Sequence, residues 1–363
     1  MRLSNMKYLW LCVTVAVSGC AAPQIQPQSN NVTAAYAAPQ THYFEAARGG
    51  DIATVMRLVE EKRVNIHQTD AYAWTGFMYA IQHGHEGMAD YFIIKHVNVN
   101  TQDKEGLTPL MIAVSERHPN IVDMLLASGA DPAKQDKHGY TALMWALYNK
   151  SWDSIPLLLA TGKGIDLQNG FGQTALHLAL DYRIYDMATQ LINHNANVTL
   201  KDSKGNTPLH LAAEKGDIVN TRLLIAKGAS VQAQNAAGET PLMSSIRSGC
   251  SQTAVDLLSQ PQDINISNLQ GQTALHLAVD QKREEVMGSL VKKKANLNCR
   301  DRQGTTPLML AAYYGLEQSV VLLAENGAAP DLKNAEGKTA LDLAREARQQ
   351  KIIDYLERIN KKR

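Results

Sequence analysis

Three histidines, His177, His210 and His276, each stand three residues after a threonine: Thr174, Thr207 and Thr273. Imidazole titrates near neutrality and ligates metals, so a histidine beside a hydroxyl is the first place to look for base catalysis or a metal. The spacing argues against both. The pairs recur at multiples of 33 residues, in equivalent places of separate copies of one pattern. Met78, Met111, Met144, Met243 and Met309 take the same place in other copies, which a required ligand would not easily allow. His83-Gly84-His85-Glu86 has the look of a metal motif, but it also reads as a turn between two helices, and that reading accounts for Gly84. Among the four cysteines no metal-ligand spacing occurs. Cys250 and Cys299 fall on opposite edges of the pattern, beyond the roughly 7 Å that a disulfide bridges, and are expected to be free thiols. No phosphate-cradling glycine loop, nucleophile elbow or HExxH helix is present. The chain is read as no enzyme, with no cofactor and no metal.

The element that positions these residues is seen best in Gly205-Asn206-Thr207-Pro208-Leu209-His210-Leu211-Ala212-Ala213-Glu214-Lys215-Gly216. Gly205 suits a turn with positive φ, Thr207 an N-cap, Pro208 the first helical position and Gly216 a left-handed helix end. The threonine returns as Thr108, Thr141, Thr174, Thr207, Thr240, Thr273, Thr306 and Thr339. Thr75 is a weaker copy one period earlier, and Thr41 a degenerate first copy 34 residues before that. An aspartate or asparagine five residues before each threonine and a glycine two before it shape a turn. Only Ala73 departs from that glycine, so the finger it belongs to is expected to be distorted.

This motif and period resemble the ankyrin repeat over about nine-tenths of the chain, residues 41–363. The resemblance implies an all-α solenoid of about ten stacked helix-turn-helix units with β-hairpin fingers, starting near 41, 75, 108, 141, 174, 207, 240, 273, 306 and 339. It also implies that the histidines tie helix starts by hydrogen bonds. In this fold the fingers and the exposed side of each first helix line one concave face, where a partner protein binds. Tyr72, Trp74, Tyr140, Tyr148, Phe171 and Tyr182 fall at such positions, and Tyr313 and Tyr314 form a second pair. Large apolar residues there need a reason in a chain with only 6% aromatics. Trp145 and Trp152 fall instead at helix-packing positions and are expected in the core.

Residues 1–19 pair a basic start (Arg2, Lys7) with the apolar run Tyr8–Val17, of signal-peptide length. Val17-Ser18-Gly19-Cys20 resembles a bacterial lipoprotein box, which implies lipidation of Cys20 and, with Ala21 following, sorting to the outer membrane of a Gram-negative envelope. Residues 21–40 are uncharged and rich in Ala, Gln, Asn and Pro; with Cys20 they make a disordered tether reaching roughly 25 Å. Formal net charge is +1, and −1 without Arg2 and Lys7, which argues against a nucleic-acid binder. The reading is a monomer held at the bacterial envelope, on the periplasmic face, binding a protein as a scaffold or as an inhibitor of a secreted enzyme. A cytosolic or host-exported effector stays open if the first twenty residues are not a leader.

Overall fold

The computed structural model describes residues 39–361. The expected leader, Cys20 and the expected tether up to residue 38 lie outside the described residues. Among the described residues, twenty helices follow one another in pairs. The first five pairs are α1 (Pro39–Gly49) and α2 (Ile52–Glu60), α3 (Gly76–Gln82) and α4 (Glu86–Ile94), α5 (Pro109–Ser115) and α6 (Pro119–Ala127), α7 (Ala142–Asn149) and α8 (Ser154–Ala160), α9 (Ala175–Asp181) and α10 (Tyr185–Asn193). The next five are α11 (Pro208–Lys215) and α12 (Ile218–Ala226), α13 (Pro241–Ser248) and α14 (Ser251–Leu258), α15 (Ala274–Asp280) and α16 (Glu284–Lys292), α17 (Pro307–Tyr313) and α18 (Glu317–Glu325), α19 (Ala340–Glu346) and α20 (Gln350–Asn360). The result is an all-α solenoid.

Each first helix from α3 onward starts on its threonine, held in extended backbone. The hydroxyls of Thr75, Thr108, Thr141 and Thr240 accept the N–H three residues on at 3.2–3.4 Å, satisfying a donor the helix start leaves free. Proline or alanine follows in most, and the short helix buries nearly every side chain: Leu209, Ala212 and Ala213 on α11 are fully covered. Such helices of about two turns are too short to persist alone, so packing between neighbours supplies their stability.

The first repeat departs from expectation. Thr41 does not start a helix; it lies inside α1, which begins at Pro39. His42 and Glu45 face water, as an end repeat requires, while Tyr43 is fully buried and donates to the Ile66 carbonyl at 3.1 Å. The Tyr43 ring lies where a Cβ on residue 76 would be, so α3 begins on Gly76 where its counterparts begin on proline or alanine.

The fingers are corrected too. No strand forms among the described residues, and only the isolated bridges Thr69–Thr75 and Ser267–Thr273 have β character. Each finger is a closed turn. In the sixth repeat Asp202 N–H donates to the Asn206 carbonyl at 2.9 Å, while the Asp202 carboxylate accepts from Lys204 and Asn206 N–H at 2.9 and 2.8 Å. One backbone bond joins it to the preceding finger, Ser203 N–H to the Phe171 carbonyl at 2.9 Å. One bond per neighbour is too few for a β-ladder. Ala73 distorts nothing: it takes φ 64°, beside 81° for Gly106, and Asp70 N–H still closes on the Trp74 carbonyl at 2.9 Å.

A side-chain ladder unseen in the sequence reading reinforces the fingers. Gln102, Gln135 and Gln168 each donate one amide to the glycine carbonyl of their own finger and to a carbonyl of the next repeat, at 2.5–3.0 Å. Their 33-residue interval was the available signal.

Candidate protein-binding face

The histidines resolve first. Thr207 N–H donates to His210 Nδ1 at 3.1 Å, and the equivalent bonds to His177 and His276 are 3.3 and 3.2 Å. With Nδ1 accepting, Nε2 carries the proton and donates across the stack to the carbonyls of Asn206, Glu239 and Thr305 at 3.2, 2.9 and 3.0 Å. All three rings are buried, and desolvation holds their pKa below the ordinary 6.5. They are neutral staples between repeats. His85 similarly bonds the Arg48 carbonyl through Nε2 at 2.9 Å, in the turn before α4. Cys250 and Cys299 carry free thiols.

The aromatic residues do not share one fate. Tyr140, Trp145, Tyr148 and Tyr182 form a chain of rings with centroids 5.9, 6.1 and 6.4 Å apart, running from the fourth finger along α7 to the end of α9. Its inner end is core. Tyr140 and Trp145 are each 8% exposed, and the Trp145 indole donates to Asp136 at 3.0 Å. Tyr140 therefore packs as support for its finger and offers little open surface, against the exposed position expected for it. Trp74, 7% exposed, is corrected in the same way: its indole donates to Asp103 in the next finger at 2.9 Å and its ring packs on Tyr79. Burial, aided by the hydrogen bond to Asp70, pushes Tyr79 up to about 12.

The outer end of the chain is open. Tyr148 is half-buried, Tyr182 keeps 36% of its surface and Phe171, on the fifth finger, keeps 52%. Desolvation raises the pKa of Tyr148 and Tyr182, so their hydroxyls are neutral hydrogen-bond donors at physiological pH. Tyr72, on the finger of the second repeat, is the most exposed of the aromatic residues singled out. Tyr313 and Tyr314 pack edge to face at 5.6 Å, and Tyr314 donates to Asp280 at 2.9 Å, leaving both rings exposed.

Two further residues belong to the account of exposed surface. Leu269 is 52% exposed at a finger position four residues before Thr273, where the positional rule should have found it. Trp152 is 41% exposed, against the expectation of a core place. It falls in the turn before α8, so the helical spacing that would bury it does not hold there.

Charges on this face pair within repeats, as Arg247 with Glu239 and Lys338 with Glu336, and across them, as Lys137 with Glu105 and Lys215 with Asp181. Lys137 meets Glu105 at 3.6 Å, Arg247 meets Glu239, and Lys338 meets Glu336 at 2.7 Å. Lys215 reaches Asp181 at 2.8 Å; burial works against its charge, but Asp181 more than offsets this and raises its pKa. Exposed pairs of this kind contribute about 1 kcal/mol or less.

A family model for ankyrin repeats, three copies at a time, matches residues 43–136, 129–202, 186–268, 219–301, 251–334 and 275–362. The chain belongs to the ankyrin-repeat family. No curated protein matches it. As an ankyrin-repeat protein it is a protein–protein interaction module, and its fingers and first helices present side chains free of structural duty. No helix among the described residues is long and apolar enough to cross a membrane.

Proposed function

We propose that this ankyrin-repeat protein is tethered to a bacterial envelope through a lipid on Cys20 and engages a partner protein with the face of its fourth and fifth repeats. The observation that carries the binding reading is the open end of the ring chain. Tyr148 and Tyr182 keep aromatic surface in water while packing in line with Trp145 and Tyr140 behind them, and Phe171, on the finger of the same repeat as Tyr182, is exposed as well. Rigid aromatic side chains lose little entropy on binding and anchor interfaces at about 2 kcal/mol or more each. The paired, alternating charges around them suit a partner of mixed surface charge and disfavour a polyanion.

The tether reading rests on the Val17–Cys20 box and the uncharged stretch that follows. Ala21 after the cysteine favours the outer membrane, with the repeats on its periplasmic side. From there a rigid face could hold an envelope enzyme inhibited or serve as a scaffold.

The test combines both parts. Wild-type protein should incorporate an alkyne fatty acid and capture a partner from crosslinked membranes. Cys20→Ala should lose the label, and Tyr148→Ala/Phe171→Ala/Tyr182→Ala should lose the partner while remaining folded. Label surviving Cys20→Ala would overturn the tether, and undiminished capture by the triple variant would overturn the site.

A further inference from the structure

The second helices share a register. Each from α4 onward begins eleven residues after the threonine of its repeat, as Pro119 follows Thr108 and Tyr185 follows Thr174, except α8. Helix α8 begins at Ser154, two residues late, and Pro156 is the reason. A helix begun on Trp152 would use the N–H of residue 156 to bond the carbonyl of residue 152, and proline has no N–H. Pro156 instead stands third in α8, among the N–H groups that a helix start leaves free. Ahead of it the chain makes only tighter turn bonds, from Ser154 and Ile155 N–H to the carbonyls three residues back, at 3.1 and 3.3 Å.

The missing half-turn thins the junction between the fourth and fifth repeats. Helices α8 and α10 approach less closely than α6 and α8 or α10 and α12, and α7 and α9 are the least closely packed pair of neighbouring first helices. Among the described residues no hydrogen bond or ion pair joins α8 to α10, whereas Thr189 on α10 donates to Asn220 on α12 at 2.9 Å. The apolar core runs through the junction unbroken: Leu147, Leu158, Leu178 and Leu191 belong to one buried cluster. The fingers stay joined as well, by Gly170 N–H to the His138 carbonyl at 2.8 Å and by Gln135 to the Gln168 carbonyl at 2.9 Å. On the first-helix side a ring pair makes the crossing, Tyr148 and Tyr182, with centroids 6.4 Å apart.

In a stack of repeats each unit meets only its neighbours, so a junction held at its fingers and core but thin between its second helices changes angle without unfolding. We infer that the fourth and fifth repeats meet at a hinge set by Pro156, and that the hinge angle sets the spacing of Tyr148 and Tyr182. Drawing α8 and α10 together turns the fifth repeat about the core and parts the two rings; drawing the helices apart closes the rings. The role of the hinge rests on the binding reading above. A partner seated on both rings favours one angle, so bending of the stack and occupation of the face bias each other.

The hinge is read without any partner, so its failure is separate from failure of the binding reading. Spin labels on Ala160→Cys/Asn193→Cys, at the equivalent exposed ends of α8 and α10, report the junction in the full chain with its native cysteines changed to serine. Asn193→Cys/Ala226→Cys reports α10 and α12 in the same way and is the control. Electron–electron distance measurement should give a broader distribution for the first pair than for the second. Pro156→Ala, at an exposed position, lets α8 start on residue 152 and should narrow the first distribution to the width of the control. Tyr182→Ala, which removes the crossing ring, should broaden the first distribution further and leave the control unchanged. Amide exchange keeps the test available if a labelled variant is poorly made: residues 152–160 should exchange faster than residues 185–193, and should slow in Pro156→Ala. Equal widths for the two pairs, a first-pair width unmoved by Pro156→Ala or by Tyr182→Ala, or exchange no faster in α8 than in α10, would overturn the inference.

Discussion

At the residue scale, position in the repeat and depth in the fold are separate facts. Trp74 and Tyr140 both stand one residue before a threonine, which places them on the exposed face by register, yet both lie under neighbouring groups. Spacing gives direction along the element; it cannot say whether a large ring turns down onto the next repeat. Tyr140→Ala should therefore cost about 3–5 kcal/mol of stability, while Phe171→Ala should change it by about 0.5 kcal/mol or less, as thermal unfolding would read. The stapling histidines carry a second prediction. Their folded-state pKa values lie below 6.5, so just below that pH the unfolded chain binds more protons than the folded one. Their contribution is complete above 6.5 and is lost as pH falls toward the folded-state values. The urea midpoint should drop between about pH 7 and pH 5, and His177→Met/His210→Met/His276→Met, using the residue other repeats carry, should flatten that drop.

At the element scale, nearly everything with a 33-residue period was legible. The threonine caps, the Asx turns and the glycine ends are local chemistry, and they recur in the structure where the sequence places them. Three departures were not legible, each because it depends on a neighbour. Thr41 has no cap to make because α1 starts earlier. Ala73 keeps the finger's geometry because the surrounding bonds hold it left-handed. The fingers form turns and not hairpins because each meets its neighbour through one backbone bond. The glutamine ladder offsets that thin contact. Gln135→Ala removes bonds to the Gly139 and Gln168 carbonyls of 2.7 and 2.9 Å. It should cost about 1–3 kcal/mol and raise hydrogen exchange in the fourth and fifth fingers before the helices respond.

At the scale of the whole molecule, the solenoid was readable from the repeat count alone. The candidate face was readable in part. Its register was given by the period, and burial takes Trp74 and Tyr140 off it while Tyr72, Tyr148, Phe171, Tyr182, Tyr313, Tyr314 and the added Leu269 keep surface in water. The most direct measurement places a photo-crosslinking amino acid at Phe171, Tyr182 or Tyr314 in the native cell, and at Ile94 or Val219 as exposed positions on second helices. Binding through the finger and first-helix face predicts one common protein crosslinked from residues 171 and 182 and absent from residues 94 and 219. The same product from residues 94 and 219, or none from residues 171 and 182, would contradict it.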